Sequence, residues 1–224
     1  MAVIHRTTMS PGKLELLAAW IPSKPWYRGG DAPVLAKAGG FRLDDPAGEV
    51  GIEFMVVTDT SGDSPVTYLV PMTYRGAPLA SAADGLIGTS EHGVLGRRWI
   101  YDGAHDVVLV EELLALLAGR TTAQDQNASD TPDPTVEVRI TGGSGVPQGL
   151  TGPGAVAETA DASLVTVGPF AQDGPVSTLT LCRVLRPGPA AEDDGAAGRV
   201  LAGWSAPDGA RQHGPFARLA QSGT

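Results

Sequence analysis

The fold is decided by the stretch Glu49-Val50-Gly51-Ile52-Glu53-Phe54-Met55-Val56-Val57-Thr58. Its alternate residues Ile52, Phe54 and Val56 are apolar and share one face, which is the two-residue period of a β-strand. A second alternating run extends from Val66 to Tyr74, and a Ser-Gly-Asp-Ser turn separates the two runs. The pattern therefore predicts an antiparallel hairpin.

Two helices are predicted on either side of this hairpin. Ser10-Pro11 favours a helix start with Ser10 as the N-cap, and apolar residues follow at helical spacing up to Ile21. The second helix is predicted from Val107 to Gly119, where Asp106 favours the positive helix start and Gly119 the end. The apolar stripe expected on it consists of Val107, Val110, Leu113, Leu114 and Leu117.

Composition excludes several classes of protein. The 224 residues carry a net charge of −9, with acidic residues outnumbering basic ones 25 to 16. This balance argues against a nucleic-acid partner, which needs Lys and Arg against its phosphates. The single Cys182 excludes an intramolecular disulfide. The longest apolar block, Leu113 to Ala118, is too short to span a bilayer, and the N-terminus lacks a signal-peptide pattern. We therefore expect a cytoplasmic protein without membrane contact.

Four regions follow from the order of these segments. Residues 1–120 hold the hairpin and both helices, and a first short strand is predicted at residues 2–7. Residues 121–134 are polar and typical of a linker. Residues 135–206 predict a β-rich extension, and residues 207–224 a flexible tail. Because the extension has few large apolar groups, we expect its strands to pack on the first sheet or extend it.

No motif for catalysis or phosphate binding is present in the sequence. The glycines within residues 142–145 are not followed by Lys, so they predict a flexible loop rather than a phosphate cradle. Zinc-type Cys or His pairs and a nucleophile elbow are also missing. Two groups, Glu91-His92 and Asp102 with His105, could still meet in space and bind a metal. Our prediction is that the chain has no catalytic residue, no cofactor and no metal.

The segment Trp26-Tyr27-Arg28 admits two interpretations. An exposed aromatic pair beside an arginine stacks on a sugar or nucleotide, and Trp26, Tyr27, Arg28 and Tyr101 are then the ligand-binding residues. Alternatively, the rings pack against a helix end with their polar tips at the rim, which is the more common arrangement.

Four segments carry a resemblance to a known family. They are Trp20-Ile21-Pro22, Trp26-Tyr27-Arg28-Gly29, Tyr68 to Pro71, and Tyr101-Asp102-Gly103 with the Leu113–Leu117 run. In this order they resemble the N-terminal cap domain of actinobacterial maltokinases, over roughly residues 14–120. The resemblance implies an α+β fold in which a curved antiparallel sheet packs on helices, similar to a cystatin. Short chains of this type are often labelled 1,4-alpha-glucan branching proteins, although nothing here resembles the long barrel enzyme that branches glucans.

A fainter resemblance to a kinase N-lobe continues in the extension. Residues 158–163 are similar to the Glu-Gln-Ser-Asn-Thr-Ser stretch near the maltokinase nucleotide, with Asp161 at the Asn position. Residues 180–183, followed by Pro187-Gly188, are similar to the strand with the phosphate-binding Lys and the residues after it, and Thr180 stands at the Lys position. The segments that carry the catalytic and metal-binding Asp residues are missing. Since phosphoryl transfer depends on positioned charge, the resemblance implies no kinase activity.

The resemblance implies a non-catalytic cap-like module that acts as an interaction or regulatory protein near α-glucan, maltose or trehalose metabolism. Its expected partner is another protein, such as an enzyme of α-glucan metabolism, bound through the sheet edge or through Arg97 and Arg98. The alternative is a protein that binds a small ligand, either a sugar or a nucleotide, or an accessory part of a kinase.

Overall fold

The computed structural model describes residues 8–141, 149–169, 176–189 and 195–221. The strand expected at residues 2–7 and the loop expected at 142–145 lie outside these ranges. The described residues form two α-helices and a mostly antiparallel sheet, which confirms the α+β class. The elements are α1 (Lys13–Trp20), α2 (Val107–Leu117), β1 (Met9–Ser10), β2 (Leu35–Asp44), β3 (Gly51–Asp59), β4 (Val66–Arg75), β5 (Leu86–His92), β6 (Gly96–Asp102), β7 (Gln124–Asp125), β8 (Glu137–Ile140), β9 (Leu150–Thr151), β10 (Val156–Glu158), β11 (Ala162–Pro169), β12 (Ser177–Cys182), β13 (Ala196–Ser205) and β14 (Arg211–Gln221).

The predicted hairpin is present as β3 and β4. The two strands pair antiparallel, with Phe54 opposite Pro71 and Val57 opposite Tyr68. Successive side chains of a strand point to opposite faces, and accordingly Phe54 belongs to one apolar cluster and Val57 to another. The hairpin thus lies between two hydrophobic cores.

The described strands form one continuous sheet. Its order is β1-β5-β6-β4-β3-β2-β13-β14-β12-β11-β10, while the short strands β7, β8 and β9 pair with β2, β13 and β11. β13 joins β2 where Trp204 lies opposite Gly39. Gly39 has a φ of 150°, and a Cβ there would lie 3.2 Å from the Cα of Trp204, so glycine suits this close approach best. The strands of the extension therefore continue the first sheet, as expected.

The sheet also closes on itself. After β12, the chain hydrogen-bonds with β4: the amide of Leu69 donates to the carbonyl of Arg183 (2.9 Å), and the amide of Leu185 donates to the carbonyl of Thr67 (2.8 Å). β4, β3, β2, β13, β14 and β12 with its continuation consequently form a closed ring of hydrogen-bonded strands, which we call the six-strand ring. Closure satisfies backbone groups that a free sheet edge would leave unpaired.

Two apolar clusters stabilise the fold on opposite faces of the β3–β4 hairpin. The larger contains side chains from all six strands of the ring and from α2, among them Phe41, Phe54, Leu69, Leu181, Trp204 and Phe216. The smaller joins α1 and the residues after it to β3, β4 and β6, and contains Trp20, Trp26, Val57, Tyr68 and Ile100. The curved sheet thus holds α2 on one side of the hairpin and α1 on the other.

Helix α2 is buried over more of its circumference than the predicted stripe. The buried residues are Leu109, Val110, Leu113, Leu114, Leu116 and Leu117, whereas Val107 is 39% exposed. Asp106 fixes the helix start, because its carboxylate accepts the amide N–H of Val108 (3.0 Å) and pairs with Arg75 (2.6 Å). Gly119, with a φ of 68°, follows the helix end as predicted. No helix in the described ranges has the length and apolarity needed to cross a membrane.

The start of α1 and the expected linker differ from their predictions. Ser10 lies in β1 opposite Glu91, and the N-cap of α1 is Gly12. Within the expected linker at residues 121–134, β7 pairs with β2. Arg42 of β2 also donates to the backbone carbonyls of Asp125 (3.0 Å) and Ala128 (3.1 Å). Backbone pairing and this arginine hold the polar segment against the sheet. Composition alone assigns this segment to a linker.

The expected flexible tail at residues 207–224 is wrong for most of its length. Arg211–Gln221 form β14, which pairs with β13 on one side and β12 on the other. Phe216 and Leu219 are completely buried in the larger cluster. The C-terminal strand is therefore an interior member of the six-strand ring.

Candidate functional site

A buried ion pair joins the two halves of the chain. Asp102 ends β6, Arg183 directly follows β12, and both side chains are fully buried. The Arg183 Nη2 lies 2.6 Å from both carboxylate oxygens of Asp102, and its Nε donates to the Ser163 hydroxyl (2.6 Å). A charged pair in such an environment is tolerated only because each charge has a partner at close range.

Glu158, at the end of β10, continues this network toward α1. Its Oε2 accepts hydrogen bonds from the indole Nε1 of Trp26 (2.9 Å) and from the Ser163 hydroxyl (2.8 Å). The guanidinium carbon of Arg183 lies 5.3 Å from the centroid of the Trp26 ring, within cation–π range. We call Trp26, Asp102, His105, Glu158, Ser163 and Arg183 the junction cluster.

Two polar atoms of the junction cluster are buried without a hydrogen-bond partner among the described residues. They are the Arg183 Nη1 and the Glu158 Oε1. His105 ends a short 3-10 turn, Gly103–His105, that directly follows Asp102. One ligand atom each from Asp102, His105 and Glu158 lies within 4.8 Å of the others. The sequence left open that Glu91-His92 and Asp102 with His105 meet at a metal, whereas in this group Glu158 joins Asp102 and His105, and Glu91 and His92 are not members.

The four residues named as ligand-binding are placed differently from one another. Trp26 is fully buried between Trp20 and Tyr68, with ring centroids 5.9 and 5.6 Å away. Tyr101 is 2% exposed, and its hydroxyl accepts the amide N–H of Leu79 (2.8 Å). Neither ring presents a face on which a ligand could stack in this structure.

Tyr27 and Arg28 lie nearer the surface, but both have protein partners. The Tyr27 hydroxyl donates to the Asp59 carboxylate (2.8 Å), and burial together with the Asp59 charge raises the pKa of Tyr27. Arg28 forms an ion pair with Asp161, which also pairs with Arg186 (3.2 Å). This side of the molecule therefore fastens the first half to the extension.

Arg97 and Arg98 lie in the hairpin of β5 and β6, but they point to opposite faces. Arg97 is 63% exposed and pairs across the strands with Glu91 (2.7 Å). Arg98 is partly buried and donates to the backbone carbonyl of Leu95 (3.0 Å). Of the two arginines, Arg97 is the one available at the surface.

An open groove of about 480 Å³ lies between the start of β8 and the start of β14. Thr135, Glu137, Gly203, Arg211 and His213 are among the residues that line it. None of the four residues named as ligand-binding contributes to this lining.

From the sequence, Trp26 was a candidate ligand-binding residue and Asp102 and His105 were candidate metal ligands. Glu158, Ser163 and Arg183 lay only in the segments that resemble a kinase N-lobe, and no pattern predicted that the six residues meet. Arg183 lies in the apolar run Leu181-Cys182-Arg183-Val184-Leu185, and a charged residue in such a run is buried only when it is paired. That signal predicts a partner without naming it. Asp102 is 81 residues away along the chain, so only the closure of the sheet brings the two together.

The comparisons with known proteins bear on the first half of the chain. A search of curated proteins finds no match. A family model does match, within the span of the resemblance stated above. Residues 20–106, which run from the end of α1 through the β3–β4 hairpin to the N-cap of α2, match the maltokinase N-terminal cap domain.

Proposed function

We propose that this protein is a non-catalytic cap-like module that acts as an interaction or regulatory protein in α-glucan, maltose or trehalose metabolism. The observation that carries the proposal is the match of residues 20–106 to the maltokinase N-terminal cap domain. In this proposal residues 1–120 form the cystatin-like cap. Residues 135–206 are a kinase N-lobe-like extension.

The environment of two positions supports the absence of kinase activity. Thr180, at the position of the phosphate-binding Lys, is 5% exposed within β12 and brings no positive charge. Asp161, at the Asn position, carries a negative charge that Arg28 and Arg186 engage. Phosphate binding needs positive charge and free donors, so this arrangement opposes it.

The purified protein should therefore not turn over ATP with maltose or another sugar as acceptor. Coupled-enzyme and radiolabel assays should give the rate of a buffer control. Turnover that a Thr180→Val or Asp161→Ala substitution abolishes would contradict the proposal, because it would place catalysis in this chain.

The surface proposed for the partner is the tip of the β5–β6 hairpin. Val94 and Leu95 at the tip are 62% and 45% exposed, and Arg97 stands beside them. A small apolar tip with a flanking charge suits a transient contact of about 1,200 Å² or less rather than an obligate interface. Because exposed charges steer association, the complex should be weak and sensitive to salt.

The test is a comparison of Arg97→Glu with the parent protein. Capture from the native cytosol at low salt, followed by quantitative mass spectrometry, should show a partner whose recovery falls about three- to tenfold with Arg97→Glu. The melting temperature should stay within about 1 °C, since an exposed ion pair contributes only ~0–1 kcal/mol. Arg139→Glu is the matched control, because Arg139 forms a similar exposed pair with Glu137 (2.7 Å) on β8.

Two outcomes would overturn the interaction proposal. Equal recovery with both variants would remove the hairpin tip as the contact. No partner in capture and ultracentrifugation, together with micromolar binding of a sugar or nucleotide in calorimetry, would favour the small-ligand alternative, with the groove beside Arg211 and His213 as its first candidate site. Recovery of a kinase as the partner would instead support an accessory role to that enzyme.

A further inference from the structure

The junction cluster brings three side chains with metal-binding chemistry to one place. Asp102 ends β6, His105 ends the turn that follows, and Glu158 ends β10 in the other half of the chain. One ligand atom from each lies within 4.8 Å of the other two. We propose that Asp102, His105 and Glu158 together bind one zinc ion.

Among the described residues, Glu158 is the carboxylate of the junction cluster that forms no ion pair with Arg183, which pairs with Asp102. Arg183 is directed at Asp102, with Nη2 2.6 Å from both carboxylate oxygens. Glu158 has only the neutral donors of Trp26 and Ser163, and both bind its Oε2. Its Oε1 is buried and lacks a partner among the described residues, as does the Arg183 Nη1 in the same cluster. A buried carboxylate oxygen without a donor is unfavourable, and a bound ion accounts for such an atom directly.

Two features of the site prepare it for a metal. The Asp102 carboxylate is held in place by Arg183 and by the amide N–H of Ala104 (3.1 Å), as outer-shell donors hold metal-ligating carboxylates. His105 and Glu158 are partly exposed, which leaves a route from solvent. Zinc–ligand bonds are about 2.0–2.2 Å long, so shifts of about 1 Å in His105 and Glu158 bring the three atoms into one coordination sphere.

The ligand types select zinc over the common hard cations. One imidazole nitrogen with two carboxylate oxygens suits zinc, whereas magnesium and calcium favour oxygen ligands alone. Three protein ligands leave a fourth position for water. Since Asp102 and His105 belong to the half that contains the cap match and Glu158 to the extension, zinc would tie the two halves together.

The test uses the full-length protein after removal of metals with a chelator. Titration with zinc chloride in calorimetry should give one site per chain. At a free zinc concentration about 100 times the Kd, the melting temperature should rise by about 5–10 °C. Cobalt(II) should bind the same site and give visible absorption bands, which report ligand geometry independently of stability.

Two variants and one control locate the site. His105→Ala and Glu158→Gln should each weaken zinc binding at least about tenfold. His213→Ala, which removes a histidine from the groove, should bind zinc like the parent. Circular dichroism of the metal-free proteins checks that each is folded. If Glu158→Gln is unfolded, the zinc affinity of His105→Ala alone tests the site. Absence of a one-to-one zinc titration, or unchanged affinity in His105→Ala, would overturn the proposal, and neither result bears on the partner at the hairpin tip.

Discussion

At the scale of single residues, Trp26 shows how burial and polarity combine at the junction. Its ring packs between Trp20 and Tyr68, while its indole N–H finds the carboxylate of Glu158. A buried tryptophan needs both kinds of contact, because its N–H cannot be left without an acceptor. The packing interpretation of Trp26 therefore agrees with its position in the fold.

Trp26→Ala should strongly destabilise the protein. Truncation of a buried large aromatic side chain costs about 3–5 kcal/mol, a large part of the ~5–15 kcal/mol that stabilises a domain. Thermal melts should show a fall of about 10 °C or more, or no folded protein. Trp99→Ala is the matched control, since Trp99 is only partly buried, and it should cost less. A Trp26→Ala variant that melts within a degree of the parent would favour a ligand-stacking role.

Glu53 is a second buried carboxylate, and its oxygens have hydrogen-bond donors. It accepts from the Lys13 ammonium (2.6 Å), the Tyr74 hydroxyl (2.5 Å) and the Gln126 amide (2.7 Å). Burial alone would raise the pKa of Glu53, but the Lys13 charge and these hydrogen bonds together hold it below its ordinary value. Lys13 lies in α1, so this carboxylate fastens α1 to the sheet.

Acid should weaken the fold through Glu53. A carboxyl group with a lowered pKa in the folded state stabilises the protein above its unfolded pKa of ~4.3, and this contribution is lost as the pH falls through the folded pKa. Glu53→Gln should therefore be less stable at pH 7 and lose less stability than the parent between pH ~5 and ~3, as measured by urea unfolding. Parallel pH profiles of the parent and Glu53→Gln would contradict this assignment.

At the scale of elements, the sequence pattern predicted the strands and the helix whose formation depends on neighbouring residues. The alternation in Glu49–Thr58 and Val66–Tyr74 corresponds closely to β3 and β4. The apolar spacing before Gly119 corresponds to α2, although a single stripe underestimated its burial. A stripe assumes that a helix is covered along one narrow face, whereas here the large apolar cluster covers a wider part of α2 and leaves Val107 and Glu111 exposed.

The elements that sequence missed depend on partners far along the chain. β14 has only two large apolar side chains fully buried, Phe216 and Leu219, so its own pattern is weak. It becomes a strand because β12 and β13 pair with both of its edges. β7 is two residues long and is held by β2, again a contact that no local window contains. The pairing of Asp102 with Arg183 was hidden for the same reason.

At the scale of the whole molecule, closure of the six-strand ring makes the halves interdependent. The ring takes β2, β3 and β4 from the first half and β12, β13 and β14 from the second. Its apolar cluster contains residues from both halves. Three groups of polar contacts reinforce the junction: Asp102 with Arg183, Trp26 with Glu158, and Arg28 with Asp161. Neither half encloses the core alone.

The intact chain should consequently unfold in a single cooperative transition. In calorimetry the measured enthalpy should equal the van't Hoff enthalpy, which is the criterion for two-state unfolding.

A chain shortened to residues 1–119 should aggregate and bind a hydrophobic dye, because it lacks β12, β13 and β14 and exposes the apolar face that they cover. Residues 135–224 alone should give no cooperative melt, and co-expression of residues 1–134 with residues 135–224 should restore the soluble fold. A cooperative melt with dispersed amide resonances from residues 135–224 alone would contradict this account, because the extension would then be a domain that needs no contact with the first half.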